Sequence, residues 1–174
     1  MKGKEFTGKE HFMINGEKTG LSIIDFWIWN SRHLEDLKDK IAVFLISEAL
    51  QSESSCNMNK WDAHRVMYSD KHVGIKCATV INEESKEGKR NEKFYHIIDK
   101  EADYYIFCKV VLVGRSDKSM LNLNNWFFYI IPNWYLVSES GNNNRISIKK
   151  IERMVQATGI LDIKTKLDSM IKNE

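Results

Sequence analysis

Asp62 and Lys76 are the residues whose types and spacing point most directly to chemistry. They lie in WDAHRVMYSDKHVGIKCA, residues 61–78, where the runs DAHRVMY and HVGIKCATV flank the three-residue turn SDK. This pattern predicts a β-hairpin with the two runs side by side. A carboxylate beside a lysine suits metal-dependent phosphodiester hydrolysis, because magnesium prefers oxygen ligands and a lysine can orient the attacking water.

Gly74 stands where such a site needs a second acid. Two strand positions separated by one residue face the same way, so an acid at 74 and Lys76 would converge on one metal. With Asp62 and Lys76 alone, the pair can neutralise itself as a salt bridge, which makes a poor magnesium site. Glycine inside a strand often marks a bulge or a close approach of backbone. The sequence therefore predicts a degenerate site.

A helix is predicted immediately before the hairpin. In SRHLEDLKDKIAVFLISEALQ, residues 31–51, apolar residues recur close to the 3.6-residue period, and Asn30 or Ser31 can cap the start. We expect this helix to pack against the hairpin.

Two more strands are predicted after the hairpin. DYYIFCKVVLVG, residues 103–114, is a mostly apolar run typical of a strand buried on both faces. NWFFYIIP, residues 125–132, is rich in aromatic residues and stops at its proline. The histidines at the hairpin, His64 and His72, are interpreted as surface residues.

The C-terminal part is predicted to be helical. SIKKIERMVQATG, residues 147–159, has a capping serine at its start and Gly159 as its stop, and a weaker helical pattern covers 163–172. Grouped strands between helices indicate an α+β or mixed α/β plan with a central sheet. A single proline and the absence of a low-complexity linker favour one domain over residues 1–174.

Composition does not decide the partner. The chain has 174 residues, 43% of them hydrophobic, and a net charge of +2. This mild charge permits either a local nucleic-acid-binding patch or a role without nucleic acid. The basic stretch KEGKRNEK, residues 86–93, is interleaved with glutamates and is interpreted as a solvated loop. The tryptophans at 27, 29, 126 and 134 are expected in the core rather than stacked on bases.

The cysteines and the apolar runs indicate in which cellular compartment the protein is expected. Cys77 and Cys108 lie in predicted strands and Cys56 lies apart, which favours buried thiols in a reducing cytoplasm. No apolar run is long enough for a bilayer and no signal core precedes the first element, so neither a membrane partner nor secretion is expected.

Several segments in order resemble the restriction-endonuclease-like PD-(D/E)xK superfamily, and in particular a group of small bacterial proteins of that fold. The similar segments are FWIW (26–29), IAVFLISEALQ (41–51), KWDAHRV (60–66), VGIKCAT (73–79), ADYYIFCKV (102–110) and NNWFFYIIPN (124–133). The likeness covers roughly residues 22–155. It implies a central mixed sheet flanked by helices.

The resemblance assigns roles to four positions. Asp62 stands at the metal-binding aspartate and Lys76 at the catalytic lysine, while Gly74 replaces the central acid and Val43 replaces a helix glutamate. The implied pocket has lost two carboxylates. Asp39, one helical turn before Val43, is the best placed substitute acid, ahead of Glu48, Asp70, Glu83 and Glu84.

Two functions follow as expectations. The first is a non-catalytic nuclease-fold protein that acts by binding DNA, a partner protein or a second copy of itself, in DNA restriction, defence or repair. The alternative is an active magnesium-dependent DNA endonuclease that uses Asp62, Lys76 and a relocated acid such as Asp39. A weaker third option is an interaction protein with no nucleic-acid role.

Overall fold

The computed structural model describes residues 6–30, 37–51, 65–82, 94–96, 102–113, 117–140 and 145–173. Five helices occur in these ranges: α1 (Ile23–Asn30), α2 (Leu37–Leu50), α3 (Asn133–Ser140), α4 (Ile148–Met154) and α5 (Ile163–Lys172). Eight strands accompany them: β1 (His11–Ile14), β2 (Glu17–Ser22), β3 (Arg65–Tyr68), β4 (Lys71–Asn82), β5 (Phe94–His96), β6 (Tyr104–Val113), β7 (Trp126–Pro132) and β8 (Arg145–Ser147).

A four-stranded sheet with the order β3-β4-β6-β7 forms the centre of the fold. β4 pairs antiparallel with β3 and parallel with β6, and β6 pairs antiparallel with β7. Two small antiparallel pairs, β1-β2 and β5-β8, lie beside it. The sheet is therefore mixed, and the predicted mixed α/β class is confirmed.

Helices cover both faces of this sheet, each over its own apolar core. On one face, which we call the α2 face, α2 and α5 pack on alternate residues of β4 and β6 such as Ile75 and Ile106. On the other, the α4 face, α3 and α4 pack on the intervening residues such as Tyr105 and Phe107. Because both sets are buried, β6 is covered on both sides. This confirms the prediction made for residues 103–114.

The hairpin predicted in residues 61–78 is confirmed where it is described, and α2 packs against it. Its turn is shorter than predicted. Tyr68 pairs with Lys71, so only Ser69 and Asp70 form the loop, with φ of 48° and 59°. Positive φ at both positions is the requirement of a type I′ turn, the class that matches the twist of paired strands. Residues 61–64 lie outside the described part.

The first hairpin, β1-β2, was not predicted from the sequence. Asn15 and Gly16 form its two-residue loop, with φ of 50° and 83°, between Ile14 and Glu17. Asn-Gly between two short runs is a strong hairpin signal. The dipeptide in HFMINGEKTGLS could therefore have identified this element.

The helix predicted at 147–159 is shorter than expected. Ser147 caps it as predicted, its Oγ accepting a hydrogen bond from the backbone N of Lys150 at 3.2 Å. The helix ends at Met154 rather than at Gly159. Backbone hydrogen bonds between Thr158 and Phe128 of β7 hold the following residues in an extended path along the sheet edge.

Two other helix predictions are confirmed in outline. The 31–51 helix corresponds to α2, with residues 31–36 outside the described ranges, and the 163–172 helix matches α5. Helix α3, which begins directly after Pro132, was not predicted. None of the helices in the described ranges has the length and apolar character that a bilayer span requires.

Candidate functional site

Gly74 lies directly opposite Tyr105 in the parallel pairing of β4 and β6. A Cβ built at Gly74 would stand 2.9 Å from Cε1 and 3.0 Å from Cδ1 of the Tyr105 ring, and 3.3 Å from Cβ of Ala102. Distances this short are repulsive, so the tyrosine ring occupies the space that a side chain at 74 needs. The sequence indicated a bulge or a close approach of backbone at this glycine, whereas the atoms that approach it belong to side chains.

The ring that fills this space belongs to a buried aromatic cluster. Tyr105 is fully buried and stacks on Phe107, with ring centroids 5.7 Å apart and planes inclined by 19°. Phe107 in turn contacts the ring of Tyr95 at 4.9 Å. The strand region around Gly74 is thus lined by aromatic carbon.

Lys76 lies on the α4 face of the sheet. It is half-buried and pairs in register with Phe107, and paired residues on neighbouring strands share a face. Val43 lies in the core on the α2 face with Val73 and Ile75. The prediction that Val43 faces the same pocket as Lys76 is therefore wrong. The apolar stripe of α2 packs on the β4 residues that alternate with Gly74 and Lys76.

Asp39, the expected substitute acid, also belongs to the α2 face. Asp39 lies in the first turn of α2, the helix that packs on this face. Burial raises the pKa of the Cys77 thiol, and the negative charge of Asp39 raises it further. Cys77 packs against the same core as Val43. Asp39 thus belongs to the helix that covers the α2 face, whereas Lys76 pairs in register with Phe107 on the α4 face.

The structure describes some of the other predicted site residues and leaves the rest outside the described ranges. Asp62, His64, Glu83, Glu84 and the basic stretch 86–93 lie outside the described residues. His72 is described, and its backbone N donates to Oδ2 of Asp103 at 2.7 Å. Among the described residues, no three His, Cys, Asp or Glu side chains are grouped so that they could hold a metal ion.

The buried-thiol prediction can be tested for two of the three cysteines. Cys77 and Cys108 are free thiols that face each other across β4 and β6. Burial raises the pKa of both thiols, which keeps them protonated and unreactive near neutral pH. The buried-thiol prediction is confirmed for Cys108, whereas Cys77 is half-buried and Cys56 lies outside the described part.

A polar groove between α3 and α4 was not anticipated from the sequence. It has a volume of about 570 Å³ and is lined by Tyr135, Glu139, Ser147, Lys149, Lys150, Arg153 and Met154. We call it the α3–α4 groove. Three of the seven lining side chains are cationic and one is anionic, so the groove attracts anions.

The helix pattern of α4 explains why its cations face the groove. Ile148 and Ile151 are buried in the core, so Lys149 and Arg153, four residues apart, share the exposed side of the helix. Lys150 reaches across, and its Nζ donates a hydrogen bond to the backbone carbonyl of Glu139 at the end of α3. This bond ties the two walls of the groove together.

Glu152, the acidic residue of α4, is paired with a lysine outside the groove. Glu152 forms an ion pair with Lys109 at 2.5 Å and accepts a hydrogen bond from the Tyr129 hydroxyl at 3.2 Å. Burial acts to lower the pKa of Lys109, but the hydrogen bonds and charges of Glu152 and Tyr129 together outweigh this effect and the pKa is raised. Glu152 therefore cancels the charge of Lys109 rather than that of the groove cations.

Helix α3 adds exposed aromatic surface next to the groove. Trp134 is 68% exposed, and its ring lies 5.7 Å from that of Tyr135, which lines the groove. The core prediction is confirmed for Trp126, which is buried and donates from Nε1 to the Met120 carbonyl at 2.8 Å. It is wrong for Trp134 and for Trp27, which is 39% exposed. Trp134 was misjudged because the helix that carries it was not predicted.

Comparison with known proteins identifies no relative. No family model matches the sequence, and neither the curated proteins nor the solved structures include a significant match.

Proposed function

We propose that this chain is a non-catalytic protein of restriction-endonuclease-like fold that acts by binding DNA. The observation that carries the proposal is the packing of Tyr105 against Gly74. A carboxylate at 74 would require the displacement of a fully buried ring. The packing between β4 and β6 therefore supports a strand that has no acid at position 74.

Binding is supported by a separate observation. The groove on the α4 face carries Lys149, Lys150 and Arg153 against the single carboxylate of Glu139. Lysine and arginine side chains supply the sequence-independent part of DNA affinity by neutralising phosphates. This cationic surface supports DNA binding without any requirement for a hydrolytic site.

Two measurements on the full chain test the proposal. Plasmid cleavage is assayed with magnesium and, separately, with manganese, for the native chain and for Asp62→Ala. Binding of a labelled DNA duplex and of a labelled single strand is followed by fluorescence anisotropy at low and at moderate salt. We expect no cleavage beyond the buffer control and salt-sensitive binding.

Each measurement can contradict one half of the proposal. Cleavage by the native chain that disappears in Asp62→Ala would establish an active endonuclease instead. Absence of binding to every DNA form at low salt would remove the DNA role.

A further inference from the structure

The α3–α4 groove and the exposed ring of Trp134 form one continuous surface on the α4 face. Tyr135 lines the groove and is the neighbour of Trp134, and the two rings are in contact distance of each other. Val137, one turn further along α3, is 55% exposed. Cationic side chains thus lie beside a solvent-facing aromatic platform.

Charge favours a polyanion on this surface. Lys149 and Arg153 are exposed, and within the described part of the chain neither is paired with a carboxylate. Lys150 is held at the base of the groove by its bond to the Glu139 carbonyl. The fixed lysine preorganises the groove, while the two exposed side chains are free to follow a phosphate backbone.

The aromatic platform favours unpaired bases. In a duplex each base is stacked on its neighbours, so a protein ring has no free base surface to contact. In a single strand an exposed ring can stack on any base, and such stacking is a main source of sequence-tolerant affinity. An exposed Trp134 next to cations matches this mode of binding.

We infer that the α3–α4 groove binds single-stranded nucleic acid, with Lys149 and Arg153 on the phosphates and Trp134 stacked on a base. The inference rests on the proposed function and deepens it, because it names both the surface and the form of the ligand. Single-stranded DNA and RNA share the required chemistry, because both present phosphates and unpaired bases.

The test is a set of anisotropy titrations with labelled oligodeoxyuridylate, oligouridylate and duplex DNA, each of about twenty nucleotides per strand. We expect native protein to bind the single strands more tightly than the duplex. Lys149→Ala with Arg153→Ala should weaken this binding about tenfold or more and lower the slope of log affinity against log salt by roughly 1.4, about 0.7 per lost phosphate contact.

The aromatic contribution is tested separately. Trp134→Ala should weaken single-strand binding about tenfold, whereas Trp134→Phe, which keeps a ring, should retain most of the affinity. Binding should also quench the tryptophan fluorescence of native protein, and Trp134→Phe should lose most of that change. Oligouridylate and oligodeoxyuridylate differ only in the 2′-hydroxyl, so the stronger of these two complexes identifies the sugar.

Matched control variants remove cationic or apolar side chains from surfaces outside the α3–α4 groove. Lys18→Ala with Lys172→Ala deletes two exposed cations from β2 and α5 and should leave binding within about twofold of native. Leu161→Ala removes an apolar side chain that is 75% exposed and should have no effect. Circular dichroism confirms that each variant is folded.

The outcomes separate this inference from the proposed function. Native affinity in the groove variants, or equal affinity for duplex and single strands, overturns the groove inference while DNA binding stands. Failure of the native chain to bind any of the three ligands overturns both.

Discussion

At position 74 the choice of residue is set by the neighbouring strand. From the sequence, a glycine inside a strand indicated a bulge or a close approach of backbone at position 74, whereas the group that approaches is the Tyr105 ring. The sequence could not predict this group, because pairing with Tyr105 depends on the register of two strands that are distant along the chain. Local pattern fixes which residues form strands, whereas register is decided by packing of the whole sheet.

We predict that Gly74→Ala destabilises the protein by about 1–3 kcal/mol, the usual cost of forcing an extra group into a packed core. The added Cβ would stand 2.9 Å from the Tyr105 ring. Urea denaturation measures the change in the free energy of unfolding. The matched control is Gly20→Ala in β2, where a Cβ meets no atom within 4 Å.

Repeating Gly74→Ala in a Tyr105→Leu variant tests whether the tyrosine ring causes the destabilisation. In Tyr105→Leu the aromatic ring is gone, so Gly74→Ala should cost clearly less there than in the native chain. An equal cost in both backgrounds would show that the ring is not what excludes a side chain at 74.

Tyr68 offers a pH-dependent test of one tertiary contact. Its hydroxyl donates to Oδ1 of Asp168 at 2.6 Å, linking β3 to α5. Burial, and then the hydrogen bond to Asp168, raise the pKa of Tyr68 to about 12. The folded state therefore holds this proton more tightly than the unfolded chain, whose tyrosine pKa is about 10.

We predict that the contact stabilises the fold fully below about pH 10 and that its contribution is lost as the pH rises towards about 12. Tyr68→Phe should lower stability at pH 9 and narrow its difference from native protein at pH 11.5. Urea denaturation of both proteins at the two pH values measures this. A constant difference between them would contradict the assigned pKa.

Among the elements, the two tight hairpins use the same turn class with different residues. The β1-β2 turn has Asn15–Gly16, the favoured pair, whereas the β3-β4 turn has Ser69–Asp70 at similar positive φ values. A side chain in this region is strained, and glycine is not. The absence of glycine explains why sequence analysis expected a three-residue turn at SDK.

We predict that Asp70→Gly stabilises the protein by up to about 1 kcal/mol, because it relieves the backbone strain at φ 59°. The reciprocal change, Gly16→Ala, should destabilise by a similar amount, since φ there is 83° and no atom crowds the new Cβ. Thermal melting of the two variants beside the native chain measures both effects. A lower melting temperature for Asp70→Gly would contradict the turn assignment.

Helix ends were harder to predict than helices. Ser147 was identified because capping is a local property of the chain. The end of α4 at Met154 was not, because the backbone of Thr158 bonds to Phe128, which lies far away in sequence. Helix α3 was missed for a related reason: it is short, and its buried residues Leu136 and Ser140 show too little periodicity to stand out.

For the whole molecule, the sequence predicted the class of fold and the order of most elements, but not the distribution of site residues between the two faces. Alternation along β4 shows that Gly74 and Lys76 share a face, and it does not show which helix covers that face. The fold places Gly74 and Lys76 on the α4 face, whereas α2, which carries Val43 and Asp39, packs on the opposite face. The helix that covers each face is set by packing of the whole sheet, so local alternation does not predict a site that combines α2 and β4 residues.

The parallel pairing of β4 with β6 also has a consequence for how the chain folds. Its pairs run from Val73 with Tyr104 to Asn82 with Val113, so every contact joins residues far apart along the chain. Closing such a loop costs entropy before any contact compensates, and folds rich in non-local pairs form slowly. The tight hairpins, by contrast, can form within microseconds. We therefore expect the β1-β2 and β3-β4 hairpins to form early. The packing of Tyr105 against Gly74 should form later, in the slow, rate-limiting step of folding.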